Sequence, residues 1–345
     1  RHLKALPPCS TMEGVIVGVE STAHTLSIGM VSESGELIPS ESSVFKPEHG
    51  GIHPREAADH HSLVASELVS RVMGREGFAP SNVKAISFSQ GPGLGPCLRV
   101  GASLARTLSK TWDVPLIGVN HCVAHIEVGR NQTGCEDPVL LYASGGNTQV
   151  IARAGSRYRV LGETLDIGIG NMLDKFARTH DIPFPGGPVI ERMASEWLSE
   201  GASTASGLEL PYAVHGMDLA FSGILTAAVS LSEREGLGAS SWSLQEHSFA
   251  SCIEVSERAL AHTGKTELLL GGGVACNGRL REMAEIMCEE RGATAHWPEK
   301  QYCIDNGTMI AELGRREIER GRVTNLEDSA INPMLRTDSS PISWN

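Results

Sequence analysis

Two histidines four residues apart, His121 and His125, are the side chains in this sequence best placed to act on one ligand. On an α-helix this spacing puts both rings on one face, with β-carbons about 5–6 Å apart, so one metal ion can bind a nitrogen of each. Packing inside a half-buried helix explains such a pair equally well, so the pattern alone leaves both interpretations open. Zinc proteases carry a glutamate directly after the first histidine as the general base. Cys122 holds that position here, which disfavours a protease.

A glycine-rich segment, Tyr142-Ala-Ser-Gly-Gly-Asn-Thr148, follows an apolar stretch shortly after the histidines. Backbone N–H groups exposed by glycine and serine can hold a phosphate group, although a hairpin turn explains the same residues. A second run, Gly271-Gly-Gly273, stands at a predicted strand-to-helix junction and has more glycine than a turn requires. A possible metal pair beside a phosphate loop indicates nucleotide-linked chemistry.

Five further polar side chains could complete such sites, and each has an ordinary structural alternative. Asp305, just before a predicted helix, could be a metal ligand or only a helix cap. Tyr142 closes a predicted strand, where cross-strand packing is the alternative. A phenolate and a carboxylate beside two imidazoles would suit a hard ion such as ferric iron, with zinc as the other option. Asn277 could cap a helix or bind a base or phosphate. Asp174 and Glu191 lie in the first turns of predicted helices, where pairing with the helix dipole competes with binding ribose hydroxyls.

Composition narrows the class of protein. The 345 residues are 41% apolar, enough for a buried core and for two domains more readily than one. With 29 basic and 41 acidic residues the formal charge is −12, whereas a protein that binds nucleic acid alone is usually basic. Partners or a local basic patch would therefore supply most phosphate contacts to a nucleic acid. The eight scattered cysteines are typical of reduced cytosolic thiols, and no apolar run reaches membrane-spanning length.

The predicted elements that position these residues begin with a hairpin in each half of the chain. Residues 15–19 and 26–31 form the first strand–turn–strand unit, and residues 139–142 and 149–152 form the second. Two such units about 125 residues apart suggest a duplicated domain. Strands alternate with helical patterns along the rest of the chain, which predicts an α/β fold with layered sheets.

The sequence also predicts loops and domain limits. The polar stretch 130–137 is the predicted boundary, and the Ser-rich stretches 199–207 and 232–243 are predicted to be exposed loops. We expect four parts in order: a tail or cloning remnant at 1–11, an N-terminal subdomain at 12–132, a C-terminal subdomain at 133–325, and a closing segment at 326–345 that could return to the first subdomain.

Five motifs in a fixed order resemble one known family. They are the segment 50–58, the histidine pair, and the segments 142–150, 268–277 and 305–310. Together they are similar to the tRNA threonylcarbamoyladenosine-synthase family in its archaeal and eukaryotic KEOPS branch, and the resemblance extends from about Val15 to Trp344. The bacterial and organellar TsaD proteins are similar too, but they lack a tyrosine at the position of Tyr142.

The resemblance implies the actin/Hsp70/sugar-kinase fold, with two duplicated α/β domains and a nucleotide cleft between them. It implies one metal ion per subunit, iron in the first place and zinc as the alternative, on the ligands His121, His125, Tyr142 and Asp305. It also implies an adenine nucleotide, either threonylcarbamoyl-AMP or ATP, bound at Tyr142, Ala143, Ser144, Gly145, Gly146, Asn147, Asp174, Gly187, Glu191 and Asn277.

The implied reaction is transfer of threonylcarbamoyl from threonylcarbamoyl-AMP to the N6 amine of the adenosine adjacent to the anticodon, in tRNAs that read ANN codons. The implied setting is cytoplasmic and away from membranes. The partners would be a small protein kinase, a small dimerising subunit and an enzyme that makes the adenylate, and in some archaeal relatives the chain continues into the kinase. No general base is evident in the sequence.

Three other classes compete with this interpretation. A small-molecule kinase or ATPase on the same fold needs a carboxylate near the phosphate acceptor and binds magnesium, so it has no use for a cage of two histidines, a tyrosine and an aspartate. A metalloprotease lacks its general base. A scaffold that only binds nucleotide would need none of the metal ligands.

Overall fold

The computed structural model describes residues 14–47, 51–201, 207–342 and 344. The predicted tail at 1–11 and Gly50 of the first motif lie outside these residues. The strands are β1 Val15–Glu20, β2 Thr25–Ser32, β3 Leu37–Val44, β4 Val83–Gly91, β5 Leu116–Asn120, β6 Val139–Ala143, β7 Thr148–Ala154, β8 Arg157–Glu163, β9 Val214–His215, β10 Asp218–Leu219, β11 Glu267–Gly271 and β12 Thr294–His296. The α-helices are α1 Pro54–Met73, α2 Gly95–Trp112, α3 His121–Thr133, α4 Ile169–Thr179, α5 Gly187–Ser199, α6 Ser222–Thr263, α7 Gly278–Glu290, α8 Lys300–Cys303 and α9 Gly307–Ile318.

The chain divides into two compact units, each built around one five-stranded mixed sheet. The first unit comprises the chain up to Phe45 together with Ile52–Val128 and Asp305–Arg336. The second comprises Lys46–Gly51, Gly129–Ile304 and the residues from Thr337 onward.

The two sheets have the same strand order and the same strand directions. In the first, the order is β3-β2-β1-β4-β5, with antiparallel pairs on the β2 side of β1 and parallel pairs on the β4 side. In the second, β6 takes the place of β1, and the order β8-β7-β6-β11-β12 repeats both directions. Both predicted hairpins are present, and the predicted duplication is confirmed at the level of topology.

Central strands of the two sheets are buried along their whole length. Every residue of β1 and of β6 is inaccessible or nearly so, which is why both strands are almost entirely apolar and do not alternate with polar residues. In the first unit, α2 and α9 both pack against β1. The second unit has its own core, in which Phe176, Phe221 and Phe249 are fully buried.

The Ser-rich stretch 232–243, which was predicted to be an exposed loop, is helical. It lies within α6. Among the described residues of this helix, only Gly236 has a non-helical backbone, with a φ of 85°. Small residues there allow close packing: a Cβ on Gly238 would lie 2.8 Å from the Cβ of Trp197 on α5. The small residues that make this stretch weakly hydrophobic are therefore the ones that let α6 pack tightly against α5. The other stretch, 199–207, is described only in part.

Two limits also differ from those predicted. The predicted boundary stretch 130–137 begins inside α3, which continues to Thr133. Residues 305–325, expected in the C-terminal subdomain, group with the first unit because α9 packs on its sheet. The backbones approach so closely there that a Cβ on Gly18 would lie 2.2 Å from the carbonyl oxygen of Gly307. In the part of the chain that the structure describes, no helix combines the length and apolarity needed to cross a bilayer.

Candidate functional site

Three predicted metal ligands, His121, His125 and Asp305, meet in the first unit. The Nε2 atoms of both histidines face the same Asp305 Oδ1, at 3.6 Å from His121 and 3.2 Å from His125. The two rings stand nearly perpendicular, with centroids 4.8 Å apart. Both histidines are buried, and Asp305 is half-buried. Residues 180 positions apart in sequence therefore form one cluster.

Two helix starts bring these side chains together. His121 is the first residue of α3, directly after β5, and the Asn120 side chain before it accepts hydrogen bonds from the backbone N–H groups of Cys122 and Val123. Asp305 stands just before Asn306, whose side-chain oxygen accepts from the Met309 N–H at 2.8 Å. Asn306 is thus the cap of α9. The alternative interpretation of Asp305 as that cap is wrong, and its carboxylate faces the histidines.

A buried ion-pair network joins the two helices behind the cluster. Arg316 of α9 lies 3.2 Å from the Glu127 carboxylate of α3, and it also pairs with Glu312 at 2.8 Å. Both carboxylates are fully buried. Breaking one half of a buried pair is costly, so this network holds the helix that bears the histidines against the helix that follows Asp305.

Sequence reasoning missed one residue of the site, Glu20. It is the last residue of β1, is fully buried, and has its Oε2 atom 2.9 Å from Nδ1 of His121. Its Oε1 atom accepts from the backbone N–H of Thr22 at 2.6 Å. The available signal was a charged residue at the end of an otherwise apolar strand, which was predicted to end at residue 19.

Electrostatics in the cluster favour a cation. Burial lowers the pKa of His121, but the charges of Glu20 and Asp305 outweigh it and raise that pKa to about 9. Burial also raises the pKa of Asp305, yet the neighbouring histidines hold it below its ordinary range. Burial lowers the pKa of His125. The carboxylates thus give the cluster a negative field that a positive charge offsets.

The donor set and spacing fit a metal ion. Ligand atoms about 2.0–2.2 Å from an ion in tetrahedral arrangement lie about 3.3–3.6 Å from one another. The separations of 3.2 and 3.6 Å are close to this range, and all three ligand atoms lie within 4.8 Å of one another. Two imidazoles and one carboxylate are a set that suits zinc or ferrous iron. The three residues could therefore hold a metal ion.

Tyr142, the fourth predicted ligand, belongs to the second unit. It lies in β6, is 2% exposed, and stands in register with Gln149 on one side and Gly271 on the other. Its buried position in the sheet agrees with the packing alternative. Ligation of the metal by Tyr142 stays a prediction.

The glycine-rich segment forms the tight connection between β6 and β7. The Ser144 hydroxyl donates to the carbonyl of Asn147, and the Asn147 N–H bonds back to the Ser144 oxygen. Gly145 and Gly146 are exposed, and there is open space where a side chain of Gly146 would stand. The segment therefore forms the hairpin turn that was the alternative interpretation. The backbone of its two glycines is also accessible.

The remaining predicted binding residues all lie in the second unit, where polar side chains hold glycine backbones in place. Asp174 accepts from the Gly186 N–H at 2.8 Å, next to Gly187 at the start of α5. Glu191 accepts from the Gly278 N–H at 2.7 Å. Both carboxylates lie in the second turns of α4 and α5, so their predicted place in the first turn is wrong.

Asn277 and the second glycine run have structural roles of their own. The Asn277 side chain caps α7 by accepting from the N–H groups of Arg279 and Leu280. Gly272 has a φ of 88° and approaches the Ala143 carbonyl so closely that a Cβ would lie 2.4 Å from that oxygen. A Cβ on Gly273 would meet open space. The capping alternative for Asn277 is confirmed, and nucleotide binding by these residues stays a prediction.

Comparison with known proteins identifies the family. The family model described as TsaD, tRNA N6-adenosine threonylcarbamoyltransferase, matches residues 37–312. A tRNA N6-adenosine threonylcarbamoyltransferase of Methanococcoides burtonii is 47% identical over 332 residues, which cover 95% of this chain and 97% of that protein. The chain belongs to the TsaD family. The family suggested by the five sequence motifs is thus confirmed.

Other members of the TsaD family are longer than this chain. A probable bifunctional tRNA threonylcarbamoyladenosine biosynthesis protein of Methanoculleus marisnigri is 52% identical over 339 residues. The match covers 98% of this chain but 61% of that protein. The chain therefore spans about three fifths of the length of several curated relatives it matches.

Solved structures of remote similarity share the fold expected of the TsaD family. HypF of T. kodakarensis matches with a TM-score of 0.62 at 14% identity, over 90% of this chain and 48% of that one. An activator of 2-hydroxyisocaproyl-CoA dehydratase from Clostridium difficile matches with a TM-score of 0.53 at 12% identity, over 90% of this chain and 99% of that one. The expectation of an actin/Hsp70/sugar-kinase type of fold is confirmed, and these likenesses carry nothing about function.

Proposed function

We propose that this chain transfers the threonylcarbamoyl group from threonylcarbamoyl-AMP to the N6 amine of the adenosine beside the anticodon in tRNAs that read ANN codons. The observation that carries the proposal is the near-full-length similarity to a tRNA N6-adenosine threonylcarbamoyltransferase. The cluster of His121, His125 and Asp305 supports it, because a kinase on this fold has no need of two histidine ligands.

The metal centre of the proposed enzyme consists of His121, His125 and Asp305, with Tyr142 as the fourth ligand and iron or zinc as the ion. A metal bound there would act as a Lewis acid on a carbonyl oxygen of the substrate. The protein residues supply the fixed geometry: α3 presents both imidazoles, and the start of α9 presents the carboxylate.

Adenylate binding is assigned to the loops of the second unit. The exposed backbone of Gly145, Gly146 and Gly273 can approach a phosphate or a flat ring without a side chain in the way. Asp174 and Glu191 fix the neighbouring glycine backbones and offer carboxylate oxygens for ribose hydroxyls. We extend the same role to Tyr142, Ala143, Ser144, Asn147, Gly187 and Asn277.

In the proposed reaction the adenosine N6 nitrogen bonds to the carbamoyl carbon while the bond from that carbon to the phosphate oxygen of AMP breaks. AMP is the leaving group, and the amine loses one proton. An aromatic amine is a weak nucleophile, so alignment of the two substrates and exclusion of water should account for much of the rate. The residue that accepts the proton is not assigned.

We place the chain in a KEOPS-type complex in the cytoplasm, with a small protein kinase and a small dimerising subunit as partners. The formal charge of −12 supports this placement, because phosphate contacts with tRNA would then come largely from other subunits. The cysteines among the described residues are free thiols, in agreement with a reducing compartment.

The proposal is tested by assembling the chain with such partners and supplying threonylcarbamoyl-AMP labelled in its threonyl group. Label should enter a tRNA that has adenosine beside the anticodon, and not the same tRNA with guanosine there. The His121→Ala/His125→Ala variant should transfer no label while remaining folded, because the metal ligands are gone. Full transfer by that variant would contradict the metal role, and ATP consumption without transfer by the unchanged chain would favour a kinase or ATPase.

A further inference from the structure

Both carboxylate oxygens of Glu20 act as hydrogen-bond acceptors in the first unit. Oε1 accepts from the backbone N–H of Thr22 at 2.6 Å and from its hydroxyl at 2.5 Å. Oε2 lies 2.9 Å from Nδ1 of His121. Glu20 is fully buried, so water does not compete for either oxygen. The carboxylate is thus held in one orientation by Thr22 and presents its second oxygen to the histidine.

This arrangement decides which ring nitrogen of His121 can bind a metal. A carboxylate oxygen only accepts, so Nδ1 must carry the hydrogen in the pair with Glu20. When His121 is neutral, its lone pair is then on Nε2, which is the atom 3.6 Å from Asp305 Oδ1. With the opposite tautomer, a hydrogen on Nε2 would occupy the place of the ion.

We propose that Glu20 is a positioning residue that keeps His121 in the Nδ1–H form and directs its Nε2 lone pair towards the cation held with His125 and Asp305. The inference rests on the metal site of the proposed function and adds to it the residue behind the ligand. Hydrogen bonds from carboxylates to the distal nitrogen of a ligating histidine orient the ring and raise its basicity. The position of Glu20 at the end of β1 makes the central strand of the sheet part of the metal centre.

The geometry requires a carboxylate rather than an amide. A glutamine at position 20 would have a single side-chain oxygen, whereas the Thr22 donors and the Nδ1–H of His121 each need an acceptor. The Thr22 N–H and hydroxyl would take that oxygen, which leaves the amide NH2 facing Nδ1 of His121. An NH2 group donates, so it would stabilise the form with the hydrogen on Nε2. Glu20→Gln therefore preserves size and reverses the tautomer preference.

The experiment measures Zn2+ affinity of the full chain by competition with a chromophoric chelator. We expect Glu20→Gln to bind Zn2+ about 10–100-fold more weakly than the unchanged chain. The control is Glu41→Gln, which changes a half-buried carboxylate of the same unit that pairs with Arg75 instead of a histidine. Its Zn2+ affinity should stay within about threefold, because its arginine partner is outside the cluster.

The outcomes separate this inference from the proposed function. If the unchanged chain binds no Zn2+, the metal site fails. If it binds Zn2+ and Glu20→Gln binds equally well, the role of Glu20 is overturned and the metal site stands. A second measurement needs no variant at position 20: long-range 1H–15N spectra of the Zn2+-loaded chain, with the His121 signals identified by their loss in His121→Gln. They should show a proton on Nδ1 and the metal on Nε2, and the reverse assignment would also overturn the inference.

Discussion

At the residue scale, four side chains that are distant in sequence meet in the first unit: His121, His125, Asp305 and Glu20. Residue types and spacing made the two histidines candidates for one ligand with packing as an equal alternative, and Asp305 became an expected ligand through the family resemblance of its motif. Glu20 could not be found in that way, because its partner His121 is 101 residues away and the contact forms only when the end of β1 meets the start of α3. A charged residue at the end of a buried strand is ambiguous until its partner is known.

A buried histidine outside this cluster gives a prediction about pH. His61 of α1 is fully buried and its Nε2–H donates to the Ala23 carbonyl at 3.0 Å. Burial lowers its pKa to about 4, from an ordinary value near 6.5. The folded state therefore keeps His61 neutral where the unfolded chain binds a proton, so its contribution is present above pH 6.5 and is lost as the pH falls from 6.5 to 4. The loss should reach about 3 kcal/mol of unfolding free energy at most.

The measurement is urea denaturation at several pH values for the unchanged chain and for His61→Gln. The variant keeps a hydrogen-bond donor and cannot titrate, so its unfolding free energy should decrease less between pH 6.5 and 4. His53→Gln, at an exposed histidine just before α1, is the matched control and should follow the unchanged chain. Equal slopes for the unchanged chain and His61→Gln would contradict the account.

At the scale of elements, strands and their pairing were better predicted from sequence than helix packing. Apolar runs on either side of a polar turn predict both hairpins, and both are present. The helical stretch 232–243 was missed because its small polar residues lower the local hydrophobicity, although they are what lets α6 pack closely. Close packing depends on a partner element, and no local pattern reveals it.

The close approach of α9 to β1 predicts that replacing a strand glycine by alanine destabilises the protein, the opposite of the usual effect. Replacing a strand glycine by alanine ordinarily stabilises a protein slightly. At Gly18 the added Cβ would lie 2.2 Å from the carbonyl oxygen of Gly307 and 2.3 Å from the backbone nitrogen of Ala311. Because neither backbone atom can rotate away, α9 must move and Asp305 with it. Gly18→Ala should cost about 1–3 kcal/mol of unfolding free energy and weaken Zn2+ binding.

Chemical denaturation and chelator competition measure the two effects. Gly223→Ala is the matched control, since a Cβ there meets open space on a helix, and it should stabilise the chain by about 0.4–1 kcal/mol without changing Zn2+ affinity. A Gly18→Ala variant as stable as the unchanged chain would show that α9 does not pack on β1 as described.

At the scale of the whole molecule, the duplicated fold was predictable and the path of the chain through it was not. Each half begins with a recognisable hairpin, so the repeat of strand order could be anticipated. A return to the first unit was expected only for residues 326–345, whereas the structure has it for residues 305–336. The earlier start could not be predicted, because it depends on glycine contacts between segments nearly 300 residues apart. That return is what places Asp305 beside the histidines, so the candidate metal site is a product of topology.

The central claim is that His121, His125 and Asp305 bind one metal ion, and elemental analysis of the purified chain tests it most directly. The unchanged chain should contain about one iron or zinc ion per molecule, and Asp305→Ala should contain far less, because two imidazoles alone leave the site short of a ligand. Thermal unfolding of the variant shows whether it remains folded. A purified chain without iron or zinc that takes up neither when supplied, or an Asp305→Ala variant with the same metal content as the unchanged chain, would contradict the account.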